Sequence, residues 1–174
     1  MERKRSEKKS EIEQTAVAIV SSPIGGIRIT ATGRGIRRIE IAIRGGGAGK
    51  SLEGEGKAAF WLTQAVKEIK AYFTKKSFRS FTVPIDFGDA VTSFARRALE
   101  AAGRIPFGET RSYKEVAASA GNPRAARAVG GAMSRNPVAL IIPCHRVVAS
   151  DASLGGFTGG LHLKRTLLDH EAKK

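Results

Sequence analysis

The stretch SYKEVAASAGNPRAARAVGGAM, Ser112 to Met133, decides how the chain is read. It opens on Ser112-Tyr113-Lys114-Glu115, a hydroxyl followed three residues later by a carboxylate. That is the capping-box pattern, with Ser112 as N-cap and Glu115 answering from N3. The helix it starts, Ser112 to Ala120, ends at Gly121. Asn122 then reads as the cap of a third helix, with Pro123 at its first position. Two short capped helices joined by a glycine-containing turn form the helix-turn-helix pattern, a signature shared with a plain helical hairpin. On a helical wheel Ala125, Ala126, Val129, Ala132 and Met133 share one side, and Arg124, Arg127, Ala128 and Gly131 the other. Two arginines among very small side chains suit a helix whose backbone lies close to a DNA groove. Solvated arginines on an ordinary surface helix are the plainer alternative. Low bulk also means little base readout, which favours sequence-independent binding.

The charge balance agrees with a polyanionic partner. Among 174 residues, Lys and Arg number 30 and Asp and Glu 16, a formal charge of +14. The first ten residues hold five basic and two acidic residues, whereas 90–174 hold 13 basic and six acidic. Most of the excess is therefore in the body of the protein and not in a tail, which points to nucleic acid. With 41% hydrophobic and 26% charged residues, disorder throughout is excluded. No apolar run approaches the roughly 20 residues of a membrane span, and the charged N-terminus lacks the apolar stretch of a secretory signal. The single cysteine, Cys144, excludes an internal disulfide and a cysteine-rich zinc site. A reducing, cytoplasmic setting and a monomer are expected.

Working outward, residues 1–13 read as a basic disordered arm, 14–88 as an N-terminal α/β domain and 89–174 as a C-terminal domain. Thr15–Ser22, Ile27–Thr32 and Ile36–Ile43 read as a small antiparallel meander, with Pro23 to Gly26 as a turn. Gly45–Gly56 reads as a mobile glycine-rich loop. Lys57–Thr74 is an amphipathic helix with Trp61, Ala65, Ile69 and Tyr72 on its apolar face. Phe81–Ile85 reads as a short strand broken by Pro84, and a boundary is expected near Asp86 to Asp89. Beyond it, Ala90–Ala102 reads as a helix ended by Gly103. The expected fold class is α/β: a small N-terminal antiparallel sheet with a helix, then a mostly helical domain with a winged helix-turn-helix-like DNA-binding motif.

The third feature is a reactive constellation. Val138–Ile142 is apolar and rich in β-branched residues, so it reads as a buried strand running into Pro143-Cys144-His145-Arg146. A lone cysteine is most often an inert buried thiol. Here an imidazole and a guanidinium follow it, and such neighbours favour the nucleophilic thiolate. Adjacent residues of an extended chain point to opposite sides, so a bridging water between Cys144 and His145 is plausible. On the last helix Glu171 falls within the apolar arc of Leu161, Leu163, Leu167 and Leu168. A carboxylate there needs a hydrogen-bonding partner. It either sits on a frayed terminus or orients a histidine, as in nucleophile–base–orienter sites. Lys164 lies on the same arc. Between these elements, Leu154-Gly155-Gly156-Phe157-Thr158-Gly159-Gly160 reads as a loop that closes against a ligand or as a flexible connector.

The run Pro143-Cys144-His145-Arg146-Val147, with Arg127 to Met133 and Asn136-Pro137 before it, resembles the methylated-DNA–protein-cysteine methyltransferases, also called O6-alkylguanine-DNA alkyltransferases. Phe107-Gly108-Glu109, Ser112-Tyr113 and His170-Glu171 extend the resemblance from about Phe94 to Glu171. The N-terminal half resembles the family only in its strand-and-helix layout. The resemblance implies direct-reversal DNA repair: an alkylated guanine is flipped from duplex DNA and its O6-alkyl group moves to a protein cysteine, once per molecule. O4-alkylthymine is a further possible substrate. It further implies Cys144 as acceptor, His145 as water-linked base, Glu171 as the carboxylate behind it and Asn136 as support. Tyr113 would help extrude the nucleotide and donate to the base, and Arg127 would fill the vacated stack. Asn122 and Ser150 match DNA contacts, and Val147 and Thr158 match backbone contacts to the flipped base. Thr158 stands where the family often has serine and Phe157 where tyrosine occurs. No cofactor is implied, and no zinc, since all three histidines lie C-terminal. The rival readings are a non-enzymatic helix-turn-helix DNA-binding protein, a lesion sensor, and a thiol hydrolase built on Cys144, His145 and Glu171.

Overall fold

A computed structural model of the chain describes residues 15–43, 55–74, 77–89 and 91–173. The arm expected at 1–13 and nearly all of the loop expected at 45–56 lie outside the described residues. The chain divides into two compact units, Met1–Lys75 with Phe81–Asp86, and Phe87–Lys174 with Lys76–Ser80.

In the first unit β1 (Thr15–Ser22), β2 (Gly25–Thr32) and β3 (Gly35–Ile43) form an antiparallel sheet in that order. Alternation sets the register: Val20 lies opposite Ile27, and Ile29 opposite Ile39. Helix α1 (Gly56–Thr74) lays Ala58, Leu62, Ala65, Ile69 and Tyr72 on the sheet. Ile27, Ile29, Ile36, Leu62 and Ile69 are all 0% exposed, each stabilising the fold by about 2 kcal/mol relative to exposure. Phe81–Ile85 is not a strand of its own. Only Ile85 bridges, beside Ile36, with Ile36 N donating to Pro84 O and Asp86 N to Ile36 O at 2.8 and 2.9 Å. The reason is that Glu68 of α1 captures the preceding amide, Thr82 N, at 2.9 Å, together with the Thr82 hydroxyl. Gly35 is required where it is: φ is +142°, and a Cβ there would run into the Pro84 carbonyl.

The second unit is mostly helical. Helix α2 (Ser93–Gly103) starts later than the apolar pattern suggests, because the Thr92 hydroxyl caps it by accepting from Ala95 N. A two-residue strand β4 (Arg111–Ser112) leads into α3 (Tyr113–Ser119), and α4 (Ala126–Ser134) follows. The Ser112–Glu115 capping box is complete, Glu115 N donating to Ser112 Oγ at 3.2 Å and Ser112 N to Glu115 Oε2 at 2.7 Å. The next cap differs from expectation. Asn122 Oδ1 accepts from Arg124 N at 3.2 Å and Ala125 N donates to Asn122 O at 3.0 Å, so Pro123 and Arg124 form a turn before α4. Val129, Ala132 and Met133 of α4 face the core against α2 and α3, as the wheel requires.

Val138–Ile142 is not a strand either. It folds on itself as a turn, Ile142 N donating to Val138 O at 3.0 Å, with Leu140 at φ +74°. The Asn136 side chain clasps both ends, Nδ2 donating to Ile142 O at 2.8 Å and Oδ1 accepting from Val138 N at 3.0 Å. With its backbone engaged locally, the β-branched run needs no partner strand. Cys144–Arg146 is one turn of 3-10 helix and leads into β5 (Val147–Val148), which pairs in parallel with β4. The last helix, α5 (Leu161–Ala172), packs against that turn and buries Leu163, Lys164, Leu167 and Glu171.

Candidate active site and nucleic-acid interface

Cys144 is 6% exposed and lines a cavity of about 700 Å³ in the second unit. Tyr113 of α3, Arg127 of α4, Ser150, and Thr158 with Gly156 and Phe157 of the glycine-rich loop line the same space. Of the residues singled out in the sequence, the structure therefore gathers Cys144, Tyr113, Arg127, Ser150 and Thr158 around one cavity. His145, Glu171, Asn136 and Val147 are not part of its lining, and Asn122 is exposed on the turn before α4.

His145 is 0% exposed and donates Nε2–H to Glu171 Oε1 at 2.8 Å. That bond fixes the tautomer, leaving Nδ1 with a lone pair. Nδ1 is buried and has no hydrogen-bond partner among the described residues. The imidazole makes no direct bond to the thiol. The cause is the 3-10 turn, not the alternation of an extended strand. Burial lowers the His145 pKa, against the pull of Glu171, so the ring is neutral near pH 7.

Glu171 collects four donors. Arg146 Nε and Gly108 N reach Oε2 at 2.8 and 3.0 Å, and Arg146 Nη2 and His145 Nε2 reach Oε1 at 2.9 and 2.8 Å. Burial pushes its carboxyl up, but the His145 and Arg146 bonds outweigh it and hold the group far below the usual carboxylate range. The remaining Arg146 Nη1 donates to Ile105 O at 2.7 Å, and the guanidinium lies 5.5 Å from the Phe107 ring centre. Arg146, read in the sequence as a cation favouring the neighbouring thiolate, instead serves Glu171. The signal was present: an arginine in a buried apolar segment and a carboxylate on a buried helix face require each other.

Lys164, placed on the apolar arc by the sequence but without a partner, finds one in the backbone. It is 0% exposed, and its Nζ donates to Val147 O at 2.5 Å, to Leu154 O and to Gly156 O at 3.4 Å. It thus ties β5 to the start of the glycine-rich loop. Gly156 O also accepts the Tyr113 hydroxyl at 3.3 Å. Gly155 sits at φ +62°, and a Cβ there would lie 2.9 Å from Tyr113 Cε2, so the glycine lets the ring and the loop touch. Burial raises the Cys144 pKa, opposed by the Asn136 amide and the Lys164 ammonium. Burial also raises that of Tyr113, reinforced by charge on Cys144 and opposed by the Gly156 bond. At neutral pH the resting pair is therefore thiol and phenol, each a proton donor.

Two family models cover almost all of this chain. Residues 93–173 match the 6-O-methylguanine DNA methyltransferase DNA binding domain, and 16–87 match the ribonuclease-like domain of the same family. The chain belongs to the 6-O-methylguanine DNA methyltransferase family. Among methyltransferase relatives, the methylated-DNA–protein-cysteine methyltransferase of Methanosarcina barkeri is 38% identical, over 88% of this chain and 94% of its own length. The Homo sapiens enzyme of that name is 37% identical over 97% and 84%. The crystal structure of Mycobacterium tuberculosis OGT in complex with DNA superposes with a TM-score of 0.74 at 35% identity, covering 89% of this chain and 91% of that one. The N-terminal half, tied to the methyltransferases by layout alone in the sequence, thus matches through its own domain. Phe157 lines the cavity, and the Thr158 hydroxyl donates to Ser134 O at 2.8 Å. Among the described residues no three His, Cys, Asp or Glu side chains gather to hold a metal ion. None of their helices is long and apolar enough to cross a membrane.

Proposed function

We propose that this protein repairs DNA by moving the alkyl group of O6-alkylguanine in duplex DNA onto Cys144, once per molecule. The observation that carries this reading is the buried chain Arg146–Glu171–His145, which leaves an unpaired Nδ1 lone pair on the residue next to a thiol that lines a cavity large enough to admit a nucleobase. His145 Nδ1 accepts the thiol proton through a bridging water. The thiolate then attacks the alkyl carbon; the C–S bond forms as the C–O bond breaks, and the electron pair returns to the purine. Guanine is a poor anionic leaving group, so Tyr113 donates a proton to the base as it departs. The imidazolium proton then returns through solvent to the Tyr113 phenolate, so the net result is one alkyl group gained by sulfur and one proton gained by guanine in place of the thiol proton. The thioether has no route back, which makes the protein a reagent rather than a turnover catalyst.

Access to the cavity requires the base to leave the stack. Arg127 lines the cavity from the small-residue face of α4, which suits it to occupy the vacated space. Asn122 and Ser150 are assigned to the DNA backbone, and the backbone of Val147 and Thr158 to the edge of the flipped base. Asn136 holds the turn that carries the thiol. With genomic DNA as its substrate the protein works inside the cell, in our reading the cytoplasm, and the reaction as drawn needs one monomer.

Intact-protein mass spectrometry after incubation with duplex DNA carrying O6-methylguanine tests this. One methyl-for-hydrogen increment per protein, mapped to the Cys144 peptide and absent in Cys144→Ala, is expected. Tight lesion binding without a mass gain would refute transfer and leave a sensor.

A further inference from the structure

A second arginine on the outer face of α4 lies against a glycine. Arg135 directly follows the helix and is exposed. Its guanidinium folds back along the helix: a Cβ built on Gly131 would lie 3.3 Å from Nη2, 3.5 Å from Nη1 and 3.8 Å from Cζ. The planar group therefore rests over the bare Gly131 backbone. Gly131 lies within α4 with no positive φ, and glycine weakens a helix interior. Its backbone gives no reason for glycine there. The space it leaves for the guanidinium does.

Arg127, Gly131 and Arg135 are spaced by four residues and so lie along one side of the helix. At 1.5 Å per residue the two arginines are about 12 Å apart along the axis. Several arginines elsewhere in this unit are engaged: Arg96 with Glu100, Arg111 with Glu109, Arg146 with Glu171, and Arg97 on Ala120 O, whereas Arg104, Lys114 and Arg165 have no carboxylate partner among the described residues. Arg124, Arg127 and Arg135 have no carboxylate partner among the described residues. Arg127 lines the cavity and Arg135 does not. A planar cation, preset on a small-residue surface away from the base pocket, matches a backbone phosphate better than a base edge.

We propose that Gly131 and Arg135 form a preset phosphate seat. Arg135 grips one backbone phosphate of the duplex flanking the lesion, and Gly131 holds the guanidinium in position for it. The seat rests on the DNA-repair reading above and adds a contact that the flipped base does not make. Presetting the side chain reduces the rotamer freedom lost on binding.

The test measures anisotropy of a labelled undamaged duplex over a KCl series, thermal midpoints, single-turnover methyl transfer from lesion duplex, and reaction with the free base O6-benzylguanine. Arg135→Gln should weaken duplex binding roughly fivefold and flatten the log–log salt slope by about 0.9, the value of one lost phosphate contact. Its reaction with the free base should equal that of the wild type. Gly131→Ala should raise the thermal midpoint, since alanine favours the helix, and yet weaken duplex binding. In the Arg135→Gln background Gly131→Ala should cause no further loss. An unchanged salt slope in Arg135→Gln overturns the seat, as do losses that multiply independently in the double variant. Absence of methyl transfer by the wild-type protein would instead overturn the repair reading, while the anisotropy arm still reports on Arg135.

Discussion

Replacing Glu171 by glutamine keeps the shape of the side chain and removes its charge, and the geometry offers the amide no harmless orientation. If its NH₂ group takes the place of Oε2, it faces two donors, Arg146 Nε and Gly108 N, whose present distances are 2.8 and 3.0 Å. If it takes the place of Oε1, it faces Arg146 Nη2 and His145 Nε2, now at 2.9 and 2.8 Å. The ring could then accept only by moving its proton to Nδ1, the atom needed as base. Breaking a buried ion pair costs about 3–5 kcal/mol. At roughly 2–4 °C per kcal/mol for a chain of this size, the thermal midpoint should fall by about 6–20 °C. The single-turnover rate should fall by about 10²–10⁴-fold, the usual worth of a positioned general base. Calorimetry reads the first quantity. Rapid-quench methyl transfer well below the variant's midpoint reads the second without interference from unfolding. Because the folded carboxyl lies below its unfolded value near ~4.3, its stabilisation is complete above that pH and is lost as pH falls through the acid range. Glu171→Gln should lack that part of the acid transition. A midpoint within about 3 °C of wild type, together with a rate within about twofold, would refute the reasoning.

Other consequences can be measured in the same assays. Arg127→Ala should slow transfer from duplex DNA by at least about tenfold while leaving reaction with free O6-benzylguanine unchanged; equal losses on both would remove its role in the stack. Gly155→Ala meets both a positive φ and the Tyr113 ring; it should cost about 1–2 kcal/mol and slow transfer, and an unperturbed rate would show that the ring position is not critical. Lys164→Met strands the carbonyls of Val147, Leu154 and Gly156 and should cost about 2–4 kcal/mol, with faster amide exchange at 154–158. Unchanged exchange there would show that the ammonium does not tether the loop. His145, whose folded pKa is lowered, should make stability fall as pH drops below about 6.5, because the unfolded state then binds the extra proton; His145→Gln should remove that inflection.

Where the sequence was legible, the relevant physics was local. The Ser112–Glu115 box, the alternation in β1 to β3 and the small-residue face of α4 each depend on residues within a few positions, and each is present in the fold. Glu171 was legible for a different reason: a charge on an apolar arc demands a partner wherever it is. What stayed hidden were partners supplied from afar. The reach of Arg146 to Glu171 spans 25 positions and that of Lys164 to Val147 spans 17. The Val138–Ile142 turn misled because its apolar, β-branched composition speaks to burial, while its shape is set by one amide side chain, Asn136, outside the run. Asn122 does not cap the third helix as expected but closes the turn before it, since Arg124 N lies within its reach before the helix begins.

The dependence of His145 on Glu171 also orders events in time. A ribosome delivers the chain from its N-terminus, so the thiol emerges well ahead of the carboxylate 26 positions beyond its histidine neighbour. Until α5 docks, the imidazole has no fixed tautomer and the buried arginine no counter-ion, and the cysteine is an ordinary thiol. For a protein that spends its only nucleophile in a single event, the base that serves the thiol is thus a property of the completed fold, in place only once α5 has docked.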